Sequence, residues 1–164
     1  MSYIDAQIGK LLDALKKNSE RNNTIIFLWF DHGFHLGGNE IWCKHTNYEL
    51  STRVPLMIVD PRNRAFAACA QSESPVERVD IFASLCDLAD VAAPADIDGT
   101  SLRPMLLDAS NRVKSVETSQ FPRWYEGLQL IGNACRNERF CYIEWEDSNF
   151  EKEDRRGEII DIEL

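Results

Sequence analysis

Long apolar runs are absent from this sequence of 164 residues. No uninterrupted apolar stretch exceeds six residues, whereas a helix needs about 20 to span a bilayer. The sequence therefore predicts neither a membrane-spanning segment nor a membrane partner. The first five residues also lack the basic and apolar regions of a signal peptide, so none is predicted there.

Paired cysteine motifs are absent as well. The five cysteines, at positions 43, 69, 86, 135 and 141, are odd in number and form no Cys-x-x-Cys pair. Their spacing indicates neither a zinc site nor a complete disulfide framework, and it leaves the cellular compartment open. Cys86 falls in an apolar helical pattern and is predicted to lie in the core. Cys135 and Cys141 either face each other across a predicted hairpin or are two buried thiols.

Positive charge is scarce. The chain has 18 Lys and Arg against 27 Asp and Glu, which gives a net charge of −9 at pH 7. Residues 144–164 contain nine acidic and three basic side chains, so most of the excess lies at one end. Nucleic acid would require a basic face, so we expect no nucleic-acid partner. We interpret the acidic end as a solvated surface.

What the sequence does contain is enough apolar material for a sizeable core, with 44% hydrophobic residues. Apolar residues recur at helical spacing between Ile4 and Leu15, which predicts an amphipathic helix. Residues 24–30 form a continuous apolar run, the pattern of a strand covered on both faces. The sequence thus predicts a helix that leads into a central strand of an α/β sheet.

The rest of the chain divides near residue 109. Before it, residues 54–59 predict a strand, with Pro55 at its start or on a sheet edge, and residues 76–89 predict a helix. Residues 90–108 predict a connector with one helical turn at 102–107. After it, an antiparallel meander is predicted from four short strands, at residues 113–119, 128–136, 140–145 and 158–162. The predicted domains are 1–108, of α/β class, and 109–164, a small antiparallel subdomain.

Chemistry-bearing residues are concentrated in residues 31–53, predicted to be a structureless loop. Loops of that length in compact domains are uncommon and usually functional. Asp31-His32-Gly33 follows directly on the first strand, at its carboxyl end, where open α/β sheets place their ligand crevice. Asp31 and His32 can reach one cation if the backbone turns sharply, and Gly33 supplies that freedom.

Other polar residues share this segment. His35, Lys44 and His45 lie in it, so that it holds all three histidines of the chain. Taken singly, each feature has a simpler interpretation. The sequence Asp31-His32-Gly33 alone is typical of a turn after a strand, and Lys44 alone of a solvated lysine. His35 and His45 alone are typical of histidines that make structural hydrogen bonds. Their joint placement favours a functional site.

Several motifs along the chain keep the order and spacing of one known family. They are Tyr3-Ile4-Asp5-Ala6-Gln7-Ile8-Gly9-Lys10-Leu11-Leu12, Asp31-His32-Gly33-Phe34-His35-Leu36-Gly37, Trp42-Cys43-Lys44-His45-Thr46-Asn47-Tyr48-Glu49, Thr52-Arg53-Val54-Pro55-Leu56, Asp98-Gly99-Thr100-Ser101-Leu102, Ser119-Gln120-Phe121-Pro122-Arg123 and Gly157-Glu158-Ile159-Ile160-Asp161. This series resembles the sulfatases, and the closest likeness is to the iduronate-2-sulfatase-like branch.

The resemblance implies an alkaline-phosphatase-like fold and hydrolysis of a sulfate ester of a sugar, such as a uronate 2-sulfate. It further implies a calcium ion and a formylglycine nucleophile made from a cysteine or serine. Asp31 and His32 would be two of the calcium ligands. Lys44 would contact the sulfate and act in catalysis. Phe34, His35 and His45 would line the sugar side of the pocket.

None of the five cysteines begins the family's nucleophile motif, Cys/Ser-x-Pro/Ala-x-Arg. The paired aspartates that complete the family's metal site are missing too. We therefore expect this chain to be the C-terminal part of a sulfatase, inactive alone, with the formylglycine in a missing N-terminal part. That part, or a second copy of the chain, is the expected protein partner.

Two other hypotheses compete with this one. The chain is either a non-catalytic remnant or interaction module, or part of a related hydrolase that acts on phosphate esters. An in-frame Cys-x-Pro-Ser-Arg motif in the DNA upstream of Met1 would favour the sulfatase. A stop codon close upstream, with no neighbouring reading frame that carries the motif, would favour the module. The residues from Trp42 to Asn47 favour sulfate over phosphate.

Overall fold

A computed structural model describes residues 2–62, 70–148 and 157–164. Cys69 and much of the acidic end lie outside the described residues. The predicted first helix is confirmed as α1, Ser2–Lys17. Several of its apolar side chains are exposed, among them Ile4, Leu11 and Leu12. Among the described residues, no helix combines the length and apolar character that crossing a bilayer takes.

The two predicted apolar strands are β1, Ile26–Trp29, and β4, Leu56–Val59, and they pair antiparallel. The expectation that β1 is covered on both faces is wrong for the described chain. Its residues are half-buried or exposed, and β4 is its one ladder neighbour in the described part. Pro55 precedes β4, as its position in the apolar run suggested, and its carbonyl accepts a hydrogen bond from the Phe30 amide.

The segment between these strands is not structureless, which corrects the sequence-based expectation. It contains the two-residue strands β2, His35–Leu36, and β3, Trp42–Cys43, which pair with each other. A 3-10 turn at Gly38–Glu40 joins them, and the short helix α2, Glu49–Thr52, follows. Such short elements escape periodicity analysis because they span less than one period of a recognisable pattern.

Two helices follow β4. The first, α3, Val79–Leu88, starts three residues later than predicted and buries Ile81, Ala83, Cys86 and Leu88. Cys86 thus lies in the core, as predicted. The second, α4, Arg103–Leu107, confirms the helical turn predicted in the connector. Ser101 and Arg103 donate hydrogen bonds to the Asp87 carboxylate, and these bonds hold the connector against α3.

The predicted antiparallel meander is confirmed. Its strands are β5, Glu117–Tyr125, β6, Leu128–Arg136, β7, Cys141–Asp147, and β8, Ile159–Glu163, in that order across the sheet. The first strand was predicted at 113–119, but β5 extends to Tyr125 through Pro122. A proline is tolerated there because β5 is an edge strand. Cys135 pairs with Tyr142 and Cys141 with Arg136, so the two cysteines do not face each other, and both are half-buried free thiols, which corrects both alternatives.

The main hydrophobic cluster lies on one face of this sheet, where Leu130, Ala134, Ile143 and Trp145 are buried together. Tyr48, from the segment between β1 and β4, packs against the cluster, and its hydroxyl donates a hydrogen bond to Glu163. Burial and this hydrogen bond raise the pKa of Tyr48. The C-terminal sheet therefore supports the segment in which the candidate site residues were predicted.

Candidate active site

The carboxyl end of β1 carries Asp31, His32 and Gly33. Gly33 packs so closely on α2 that an added Cβ would lie 2.0 Å from the carbonyl oxygen of Leu50. The Gly33 amide also donates to the carbonyl of Ser51 at 2.8 Å. The φ of Gly33 is not positive, so the position does not need the left-handed conformational freedom of glycine. Glycine is needed for the close approach of two backbone segments, and this approach fixes where His32 emerges.

His32 and Lys44 lie in direct contact, although 12 positions separate them. The Lys44 ammonium donates to Nε2 of His32 at 2.6 Å. Nδ1 of His32 lies 2.7 Å from the carbonyl oxygen of Gly33. A carbonyl only accepts, so Nδ1 carries the proton and Nε2 presents its lone pair. This neutral tautomer is the one that binds a metal through Nε2.

Asp31 lies beside this pair. One carboxylate oxygen of Asp31 is 3.7 Å from Nε2 of His32, and the other accepts a hydrogen bond from Arg78 at 2.8 Å. The Asp31 side chain is 78% exposed. A carboxylate oxygen of Asp31 and Nε2 of His32 therefore lie close together, at a place where the cations of Lys44 and Arg78 also gather. Arg78 was missed by sequence reasoning, since it lies 47 positions from Asp31 and outside the segment.

His35 lies on the interior side of the segment. It is fully buried, and its Nε2 lies 2.9 Å from the hydroxyl of Thr46, which in turn donates to Ser51. The other ring nitrogen, Nδ1, has no hydrogen-bond partner among the described residues. The structure therefore separates His35 from Lys44, whose side chain reaches toward His32.

Phe34 and His45 lie at the surface. Phe34 is 51% exposed. His45 is exposed as well, and its ring packs at 6.0 Å from that of Phe121 on β5. Both rings are accessible to a ligand. In the chain, Phe34 lies two residues after His32, and His45 directly follows Lys44.

The donor set suits a divalent cation only in part. Asp31 and His32 supply two donors, while calcium takes six to eight oxygen ligands. Within residues 2–62, 70–148 and 157–164, no group of three or more His, Cys, Asp and Glu could hold a metal ion. The tautomer of His32 and its nearness to Asp31 fit two positions of a larger shell, whose other ligands would come from outside the described residues.

Comparisons with known proteins agree with the motifs. The family model described as Sulfatase matches residues 1–91. A sulfatase of Formosa agariphila is 28% identical over 151 residues, which cover 92% of this chain and 28% of that protein. Iduronate 2-sulfatase of Mus musculus is 33% identical over 116 residues, which cover 57% of this chain and 21% of that protein.

A solved structure shares the fold. It holds its substrate, D-glucosamine-2-N,6-O-disulfate, and it superposes with a TM-score of 0.69 at 28% identity over 90% of this chain and 30% of its own. The chain thus spans less than a third of the length of each of these three relatives. The match confirms the predicted fold class, an α/β part of the alkaline-phosphatase-like fold followed by a small antiparallel sheet. The family model covers more than half of the residues, and this chain therefore belongs to the sulfatase family.

Proposed function

We propose that this chain is the C-terminal portion of a sulfatase that hydrolyses a sulfate ester of a sugar, and that it supplies part of the active site. The observation that carries the proposal is the meeting of Asp31, His32 and Lys44 at the carboxyl end of β1. The relatives support the substrate class, since their names or bound substrate include sulfated sugars.

Asp31 and His32 would hold a calcium ion in this account. The ion would supply positive charge that orients and polarises the sulfate group. The carbonyl of Gly33 keeps the proton on Nδ1 of His32, and Nε2 would bind the ion in place of the Lys44 ammonium, whose hydrogen bond occupies that lone pair in this structure. Arg78 forms an ion pair with Asp31 beside the site.

Lys44 would bind the substrate and assist catalysis. Its ammonium is half-buried beside Nε2 of His32, so it reaches the same space as the two proposed metal ligands. There it would donate a hydrogen bond to a sulfate oxygen and stabilise the charge that develops on the leaving oxygen. Fixed cations aimed at developing charge contribute strongly to catalysis.

The three remaining predicted site residues would play different parts. Phe34 and His45, both exposed, would contact the sugar. His35 is buried and bonded to Thr46, so its part in substrate binding would be to fix the segment that carries Lys44 and His45. The division into domains 1–108 and 109–164 would then separate the site-bearing part from the sheet that supports it.

The formylglycine nucleophile would come from the rest of the sulfatase, because its motif follows none of the cysteines here. Purified residues 1–164 should therefore show no turnover of an aryl or uronate sulfate, since covalent catalysis needs the activated nucleophile. Turnover above a denatured control, and lost in Lys44→Ala, would contradict this expectation.

The test of the function uses the longer protein in which this chain continues a formylglycine-bearing portion. We expect hydrolysis of sulfated sugars, little hydrolysis of the matching phosphate esters, and a roughly 100-fold lower kcat in Lys44→Ala. Preference for the phosphate ester would identify a phosphatase of the same superfamily. No turnover of either ester by a folded, formylglycine-bearing protein would favour a non-catalytic module.

A further inference from the structure

Asn47 joins the site-bearing segment to the C-terminal sheet. Its side chain is 3% exposed. Nδ2 of Asn47 donates a 2.7 Å hydrogen bond to the carbonyl of Gly132 on β6, and Oδ1 accepts a weaker one, at 3.4 Å, from the hydroxyl of Ser119 on β5. Both groups of the amide are therefore used in contacts with residues at least 72 positions away.

The absence of a side chain at Gly132 leaves room for this amide. A Cβ added there would lie 2.8 Å from Nδ2 of Asn47 and 2.7 Å from the ring of Trp145. Real Cβ atoms do not approach other atoms so closely, so the contact requires glycine at 132. Gly132 lies in the interior strand β6, paired on both sides, so Asn47 contacts the sheet backbone itself, and removing its amide would cost this buried hydrogen bond.

The position of Asn47 is transmitted to Lys44 through Thr46. The Thr46 amide donates to the carbonyl of Lys44 at 2.9 Å. The Thr46 hydroxyl is buried and bonded to His35 and Ser51, so the backbone between Lys44 and Asn47 is fixed on its inner side. The stretch from Lys44 to Asn47 is thus anchored at two neighbouring points, Thr46 to the interior and Asn47 to the sheet, and losing the Asn47 anchor would loosen the backbone that carries Lys44.

We propose that Asn47 is a positioning residue, which uses the C-terminal sheet to hold the Lys44 ammonium in place over the reacting sulfate ester. The inference rests on the function proposed above for Lys44. It gives the small antiparallel sheet a direct part in the reaction, although none of its residues is proposed to touch the sulfate group. A displacement of about 1 Å of a catalytic group can cost about 100-fold in rate.

A double-mutant cycle in the full sulfatase tests the proposal. Asn47→Leu removes the amide at similar volume. We expect kcat to fall about 10- to 100-fold, with KM nearly unchanged, when Lys44 is present. In the Lys44→Ala background, Asn47→Leu should change kcat less than about 2-fold, because the group that it positions is gone. A merely structural role would lower kcat by the same factor in both backgrounds.

Gln120→Leu is the matched control. Gln120 donates to Asn133 across the same two strands at 2.7 Å, but this pair is exposed on the opposite face of the sheet. We expect it to leave kcat unchanged in both backgrounds. Should Asn47→Leu fail to fold, Ser119→Ala removes the weaker bond to the same amide, and we expect a kcat about 2- to 5-fold lower that is again lost without Lys44.

Hydrogen exchange supplies a readout that is independent of activity. The amides of residues 44–46 should exchange faster in Asn47→Leu and at the wild-type rate in Gln120→Leu. Equal kcat losses with and without Lys44, or unchanged exchange at 44–46, would overturn the proposal. If Lys44→Ala alone leaves turnover intact, both the proposed function of Lys44 and this inference fail. If Lys44→Ala lowers turnover, but Asn47→Leu lowers kcat by the same factor with and without Lys44, only this inference fails.

Discussion

Gly132 is tightly packed, whereas Gly9 faces open space, so an added methyl group should have opposite effects on stability at the two positions. An added Cβ at Gly132 would meet Trp145 and Asn47 at less than 3 Å, whereas at Gly9, inside α1, it would meet nothing within 4 Å. We expect Gly132→Ala to destabilise the chain by about 1 to 3 kcal/mol. Gly9→Ala should stabilise it by about 0.5 to 1 kcal/mol, because alanine favours the helix. Urea denaturation of both variants measures the two changes, and equal effects would contradict the assigned packing.

At this same scale, local sequence predicted some of the site and not the rest. Asp31, His32 and Lys44 were identified because they lie in recognisable motifs next to a strand. Arg78, which pairs with Asp31, was missed, because nothing near it in the chain indicates a partner 47 positions away. The contact of Asn47 with the C-terminal sheet was missed for the same reason, since its acceptor lies 85 positions away. His35 looked like the other histidines in sequence, and only packing shows that it is buried.

At the scale of elements, α3 and the strand β5 are joined by a buried ionic network. Lys114 donates to Glu77 and to Asp80, and Asp80 is fully buried. Burial raises the pKa of Glu77, but hydrogen bonds from Lys114 and Thr118 outweigh it, so the pKa lies below its ordinary value of 4.5. Burial lowers the pKa of Lys114, but its bonds to Asp80 and Glu77 outweigh that effect and raise it.

Lys114→Met should therefore destabilise the chain by about 3 kcal/mol at pH 7, since it leaves a buried carboxylate without its cation. Arg112→Met, which breaks the exposed pair with Glu138, is the matched control and should cost less than about 1 kcal/mol. Urea denaturation measures both.

The loss in Lys114→Met should also depend on pH. The folded state holds the pKa of Glu77 below 4.5, so the stabilisation is complete above that pH and is lost as the pH falls through the folded value. The difference between Lys114→Met and wild type should accordingly shrink as the pH falls below 4.5. A difference that grows on acidification would show that Glu77 does not depend on Lys114 as described.

Periodicity predicted the elements whose own sequence determines them. The helix α1, the strands β6 and β7 and the order of the meander agree with the prediction, because each repeats its apolar pattern over a full period. The start of β5 was placed four residues too early, since Val113 is apolar but precedes the strand, and its end was placed at residue 119, whereas the strand continues to Tyr125. The elements β2, β3 and α2 were not predicted, because each is too short to show a repeating pattern.

For the molecule as a whole, the most prominent feature is apolar surface on its N-terminal part. The described residues of α1 include none that is buried, and Trp29, Met57 and Val59 of the β1–β4 pair are between 45% and 50% exposed. Exposed apolar patches and unpaired strand edges favour association. We expect the purified chain to self-associate, as measured by sedimentation velocity across a range of concentrations. A single monomeric species with a cooperative melt would contradict this.

The most direct test of the whole account is the calcium stoichiometry of the full sulfatase, measured for the wild type, Asp31→Ala and Lys44→Ala after dialysis against a calcium buffer. Asp31 is proposed to bind the ion and Lys44 the sulfate. We therefore expect about one ion per chain in the wild type and in Lys44→Ala, and far less in Asp31→Ala. Equal loss in both variants, or an undiminished content in Asp31→Ala, would contradict the division of the site between a metal ligand and a sulfate-binding cation.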